Sequence, residues 1–190
     1  MKSLQEEKVR LRRHALALMK SIGAKERKAK AESIQRHVID HGLFGRSQVI
    51  MLYASIQYEV PTEKIIEEAI VKGKKVVLPR IDKVKRQIVP YGIENPQSDL
   101  ERGVYGILEP RLNRCQPCPI NSIEWILVPG LLFDRSHYRL GRGLGYYDHF
   151  LSQLNRKTQT AGLAFDFQIT DSLPHDDHDI PLDDVISNLS

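Results

Sequence analysis

Apolar residues recur with helical spacing at the start of the chain and in short unbroken runs further on. Leu4, Leu11, Ala15 and Leu18 fall on one helical face, and a second helical pattern covers residues 24–41 and stops at Gly42. Residues 48–54 then form an apolar run of the kind a strand buried on both faces requires. Pro61-Thr62-Glu63 opens a helix through Val71, with Gly73 as its stop. Residues 75–78, ending at Pro79, and residues 87–91 read as further strands. The chain is irregular through Pro119. Regular structure resumes with an apolar strand over 124–128 that Pro129-Gly130 halts. A glycine-rich stretch follows, then a helix over about 146–154, and residues 160–165 as a last buried strand.

Short apolar strands alternating with helices imply an α/β, three-layer, Rossmann-like fold: a mostly parallel sheet flanked by helices. At 190 residues, without internal repeat or linker, the expectation is a single domain over 1–190. In such sheets ligands bind at the carboxyl ends of strands, which directs attention to the loops after Ala54, Leu78, Val128 and Phe165.

Composition narrows the function classes. Hydrophobic residues at 41% and charged residues at 27% are typical of folded chains. No apolar run approaches the roughly 18 residues that span a bilayer, and Met1 to Glu7 runs straight into charges, so the expectation is a cytoplasmic protein without membrane partners. The net charge of +4 suits an anionic ligand. Much of the basic charge lies between Lys8 and Arg36, mixed with Glu6, Glu7, Glu26 and Glu32 at helical spacing, which is the pattern of a solvated helix face. Aromatics are 7% of the chain and are not interleaved with that basic run, so no nucleic-acid partner is expected. Cys115 and Cys118 stand alone among prolines, without the further ligands a zinc site needs, and read as incidental reduced thiols.

The chemistry concentrates in Arg139-Leu140-Gly141-Arg142-Gly143-Leu144-Gly145-Tyr146-Tyr147-Asp148. Glycines at alternate positions let backbone N–H groups approach an anion, a helix follows, and Arg139 and Arg142 offer paired donors to phosphate oxygens. The spacing is neither a Walker loop nor a dinucleotide fingerprint. Tyr146 and Tyr147 suit stacking on a planar heterocycle, and Asp148 suits a hard cation such as Mg²⁺ beside phosphates. A tight turn carrying surface arginines is the bland alternative, and one of the tyrosines is as suited to core packing as to stacking.

These residues, with Val128-Pro-Gly130 and Phe133-Asp134 before them, resemble the signature of the 5-formyltetrahydrofolate cyclo-ligase family. The resemblance extends to Lys8-x-x-Leu11-Arg12, to Glu59, to Tyr105-Gly106-Ile107-Leu108-Glu109-Pro110 and to Pro174-x-x-Asp177-x-Asp179, covering nearly the whole chain. It implies an ATP- and Mg²⁺-dependent conversion of 5-formyltetrahydrofolate to 5,10-methenyltetrahydrofolate, in which the formyl oxygen is phosphorylated and N10 attacks. By matching position, Lys8, Arg12 and the segment from Arg139 through Leu140, Gly141, Arg142, Gly143, Leu144 and Gly145 to Tyr146 and Tyr147 correspond to the ATP site. Arg142 corresponds to the catalytic cation. Ala54, Glu59, Tyr146 and Tyr147 correspond to the folate site, with Glu59 as the pterin's acceptor. Asp148 and Asp177 correspond to metal ligands. Leu144 stands where relatives often carry Gly or Lys, which removes one phosphate contact. The implied partners are the small molecules ATP and 5-formyltetrahydrofolate, for a monomer or weak homodimer. The rival is a non-catalytic nucleotide binder on the same fold, against which the presence of Glu59 and a near-complete signature argue.

Overall fold

The computed structural model describes residues 3–190. The chain opens with α1 (Leu4–Ser21), α2 (Ala24–Asp40) and the short α3 (Gly42–Arg46), then enters β1 (Val49–Met51) and α4 (Glu63–Val71). The hairpin β2 (Lys75–Asp82) and β3 (Gln87–Ile93) follows, then α5 (Pro96–Asp99) and a second hairpin, β4 (Leu100–Arg102) with β5 (Leu108–Pro110). After β6 (Trp125–Val128), β7 (Leu132–Asp134) and β8 (Arg139–Leu140) come α6 (Tyr146–Leu151), β9 (Gln159–Ala164), β10 (Ile169–Thr170) and β11 (Asp184–Ser187).

The central sheet has the order β11-β9-β6-β1-β2-β3, and only the β2–β3 pair is antiparallel. Its strands are apolar on both sides because each side is covered. Ile50, Val76, Trp125 and Leu127 pack with α2, α3 and α4 on one face. Met51, Val77, Ile126 and Val128 alternate with them and pack with Phe150 and Leu151 of α6 on the other. A three-stranded sheet, β10-β7-β8, lies apart, and α1 covers it with Ala15 and Met19 against Leu131, Leu132 and Leu140. Ser3 and Glu6 close a reciprocal capping box that fixes where α1 begins.

The mostly parallel, helix-flanked sheet agrees with the expectation, and five local expectations need correction. Strand β2 does not end at Pro79 but runs through it to Asp82, with Pro79 opposite Pro90 of β3. Two residues on, the Ile81 N–H turns away from β3 and donates to Glu109 Oε1 at 3.3 Å. The ring nitrogen of Pro79 points the same way, where the ladder asks for no donor. Strand β1 stops at Met51 rather than Ala54, because Tyr53 is drawn aside: its carbonyl accepts from the Thr62 hydroxyl and its own hydroxyl donates to Val60 O at 2.9 Å. Residues 100–110 hold a small hairpin where an irregular stretch was expected, and α6 ends at Leu151 rather than Leu154. Residues 160–165 are not the last strand, since β11 adds a parallel edge beyond β9.

Cys115 packs in the core beneath α2 and α4, whereas Cys118 packs with the cluster on the opposite face. Both are buried and free. Burial, with Asp99 nearby, also pushes the Cys115 thiol up. Neither thiol should therefore react with Ellman's reagent in the native protein, and both should react after denaturation. Mild oxidation should leave the mass free of an intramolecular disulfide; a bridged product would overturn the two-face placement.

Candidate active site

The parallel strands β1 and β6 lie side by side, and the chain leaves them in opposite directions, to β2 on one side and to β9 on the other. That divergence opens a crevice at their carboxyl ends. A cavity of about 640 Å³ occupies it, lined by Tyr53, Ala54, Ile56 and Glu59 after β1 and by Pro129, Gly130 and Leu131 after β6. Pro79 and Ile81 of β2 and Ile88 of β3 form an apolar side wall, and the glycine loop from Arg139 to Asp148 forms the wall across from it. The segment after Phe165 reaches the cavity only further along, with Asp176, Asp177 and Asp179. Every residue expected at the site lines this one cavity.

The glycine loop owes its path to two left-handed residues. Gly143 has φ 95° and Gly145 φ 71°, conformations that side-chain-bearing residues rarely adopt. A Cβ at Gly143 would also stand 3.1 Å from the Arg12 guanidinium carbon, so the bare backbone lets α1 lay Arg12 across the loop. There Arg12 Nε donates to Gly141 O at 2.9 Å. Leu140 turns its side chain into the core beneath α1, so this residue meets the cavity through the loop backbone. Leu144 is 52% exposed, at the lip.

Three of the four cations around the cavity are held by carboxylates. Lys8, buried on the inner face of α1, donates to Asp179 at 2.5 Å and to Asp176 at 3.3 Å. Burial works against its charge, but the bonds to Asp179 and Asp176 outweigh burial and hold the ammonium above its usual value. Arg139 donates to Asp148 Oδ1 at 2.7 Å, with its side chain 4% exposed; burial pulls its pKa down against the pull of Asp148. Arg142 Nη2 donates to Glu59 Oε1 at 3.2 Å, across the cavity from the glycine loop to the loop after β1. Burial raises the Glu59 pKa, opposed by the Ile56 N–H and by Arg142. Among the described residues Arg12 alone of these four makes no ion pair, which leaves its remaining donors for an anionic ligand.

Tyr147 places its ring 5.5 Å from the Arg139 guanidinium, and its buried hydroxyl has no hydrogen-bond partner. An orphaned donor at a cavity wall marks a place for a ligand acceptor. Burial, helped by Glu59, pushes its pKa up, so it serves as a donor. Asp148 keeps one oxygen beyond the bond to Arg139, and Asp177 is exposed at the rim. No group of three or more His, Cys, Asp or Glu residues that could hold a metal ion forms among the described residues. Such a donor set suits Mg²⁺, which takes one or two carboxylates and completes its shell with phosphate oxygens and water.

Sequence reasoning missed the acidic partners of Lys8 and the apolar wall from β2 and β3. Asp176 and Asp179 lie 168 and 171 residues from Lys8, beyond any periodicity. Asp134, quoted only as part of a motif, proves to be a brace: its carboxylate accepts from the Ser136, Tyr138 and Leu173 N–H groups at 2.9, 2.9 and 2.8 Å, which fixes the approach to Asp176.

The profile of the 5-formyltetrahydrofolate cyclo-ligase family matches residues 4–188. The chain belongs to that family. It is 30% identical over 176 residues to the 5-formyltetrahydrofolate cyclo-ligase of Mus musculus, covering 88% of this chain and 87% of that one. The solution structure of the Aquifex aeolicus 5,10-methenyltetrahydrofolate synthetase superposes with a TM-score of 0.85 at 31% identity, over 96% of this chain and 90% of the other. A 5,10-methenyltetrahydrofolate synthetase from Mycoplasma pneumoniae superposes with a TM-score of 0.78 at 25% identity, covering 96% and 99%.

Asp148→Asn removes the anion from a buried guanidinium. The substitution should destabilise the protein by about 2–4 kcal/mol in urea unfolding, less than a fully buried pair because Asp148 is partly exposed. A loss below about 0.5 kcal/mol would show that Arg139 does not depend on Asp148.

Proposed function

We propose that the protein converts 5-formyltetrahydrofolate to 5,10-methenyltetrahydrofolate at the expense of ATP, releasing ADP and phosphate, and that it does so in the cytoplasm with small molecules as its only partners, as a monomer or weak homodimer. The observation that carries this reading is one cavity with two unlike walls. The glycine loop and α1 offer cations and backbone N–H groups to a polyphosphate; the side wall of Pro79, Ile81 and Ile88 offers an apolar surface to a flat ring, with Glu59 as acceptor for ring N–H groups. The two meet at Arg142 and Glu59. No membrane partner is needed, and none of the described helices is long and apolar enough to cross a bilayer.

The formyl group is an amide and its oxygen leaves poorly. The formyl oxygen attacks the γ-phosphorus, the bond to the ADP oxygen breaks, and an iminium phosphate forms. N10 then donates its lone pair to the formyl carbon, loses its proton, and phosphate departs with the C–O bond. No step calls for a protein nucleophile. The residues contribute placement and charge. Arg12, with free donors, grips the polyphosphate; Arg142 neutralises the phosphoryl group in flight; Glu59 and the apolar wall fix the pterin; Lys8 and Arg139 hold the walls. Asp148 and Asp177 would hold Mg²⁺, which supplies further charge neutralisation on the phosphates.

Purified protein with Mg-ATP and 5-formyltetrahydrofolate should develop the long-wavelength absorbance of the methenyl product, and omission of ATP or the divalent metal should abolish it. Folded protein that gives no product with all components present would refute the activity. Arg142→Ala should lower kcat by roughly a hundredfold or more while changing ATP affinity less than about tenfold. The opposite division, weak ATP binding with kcat intact, would make Arg142 a ground-state binder.

A further inference from the structure

Two residues expected to serve different substrates are bonded to each other. Arg142 belongs to the phosphate wall and Glu59 to the pterin wall, and the side chains meet at 3.2 Å although 83 residues separate them. We propose that this ion pair is a latch exchanged by the substrates, so that nucleotide and folate bind cooperatively. The inference rests on the function proposed above.

The asymmetry of the pair sets the direction of the effect. The Arg142 side chain is 43% exposed and that of Glu59 only 10%. When a nucleotide draws Arg142 towards its phosphates, the guanidinium exchanges one anion for another. Glu59 is left with the Ile56 N–H at 3.1 Å and little access to water. A carboxylate out of water without its cation is costly. Lys8 and Arg139 cannot take over, since Asp176, Asp179 and Asp148 engage them. A ligand that brings N–H donors to Glu59 removes the cost, and a pterin has an amino group beside a ring N–H. Conversely, a folate that occupies Glu59 releases Arg142 to the phosphates. Linkage makes the two effects equal. The pair thus holds the charge of each wall in reserve until both substrates arrive.

Isothermal titration with the non-hydrolysable analogue Mg-AMP-PNP tests this. Its Kd for the wild type should fall roughly 5- to 20-fold in the presence of saturating 5-formyltetrahydrofolate, and the Kd for the folate should fall by the same factor when the analogue is present. In Glu59→Gln, the analogue alone should bind about as tightly as it binds the wild type with folate, because no carboxylate retains Arg142. Arg142→Met breaks the pair from the other side and should bring the wild-type ratio to within twofold of one. If both ligands bind the wild type with a ratio already within twofold of one, the latch is refuted while the proposed function stands. Tighter binding of the analogue is also required of Glu59→Gln, and its absence refutes the latch independently. Failure of the wild type to bind either ligand refutes the function and the latch together.

Discussion

A charge removed from water must be met by another, and around this cavity that requirement decides which parts of the chain come together. Lys8 and Arg139 are buried, and Arg142 stands beside the buried carboxylate of Glu59, so none of the three is left without a partner. Each finds a carboxylate on a different element: Lys8 of α1 on the loop at Asp176 and Asp179, Arg139 of β8 on α6, and Arg142 of the glycine loop on the loop after β1. The pairs pin the outer pieces of the fold to the carboxyl ends of β1 and β6, where the hydrophobic core alone leaves a gap. Arg12 is satisfied by a carbonyl instead, and among the described residues is the one cation of the four without a carboxylate partner.

The apolar side of the crevice depends on a backbone detail. Pro79 and Pro90 face each other where β2 has passed the end of β1, so neither proline interrupts a hydrogen bond the sheet requires. The hairpin continues past the edge of the parallel sheet and carries Ile81 and Ile88 to the cavity wall. A strand that ended at Pro79 would leave this side of the cavity open to water. The same hairpin accepts β5 alongside it through Glu109, whose carboxylate takes the Ile81 N–H that no strand reaches.

Much of this was legible in the sequence for physical reasons. The central strands are covered on both faces, so residues 49–51, 76–78 and 125–128 appear as unbroken apolar runs. The glycine loop was legible because its glycines, arginines and tyrosines are close in sequence and chemically unusual together. What escaped were features set by partners far along the chain. Strand β11 has polar flanks and four residues, and only β9 makes it a strand. Strand β2 continues through Pro79 because of what lies opposite. Glu59 was visible as a candidate acceptor, but its bond to Arg142 was not, since nothing local links the two.

The bond between Lys8 and Asp179 joins the first helix to a loop 171 residues later, and Asp176 joins the same ammonium. During synthesis the protein is made from its amino end, so α1 emerges carrying a lysine and an arginine whose stations do not yet exist. The glycine loop can form once β6 to α6 have been made, and α1 can then pack on Leu131, Leu132 and Leu140 and set Arg12 against Gly141, but Lys8 finds its carboxylates only after the acidic loop has left the ribosome. A nascent chain therefore has five of the six strands of the central sheet, through β9 at Ala164, before Lys8 is paired, and the wall that α1 forms is completed only in the last stretch of synthesis.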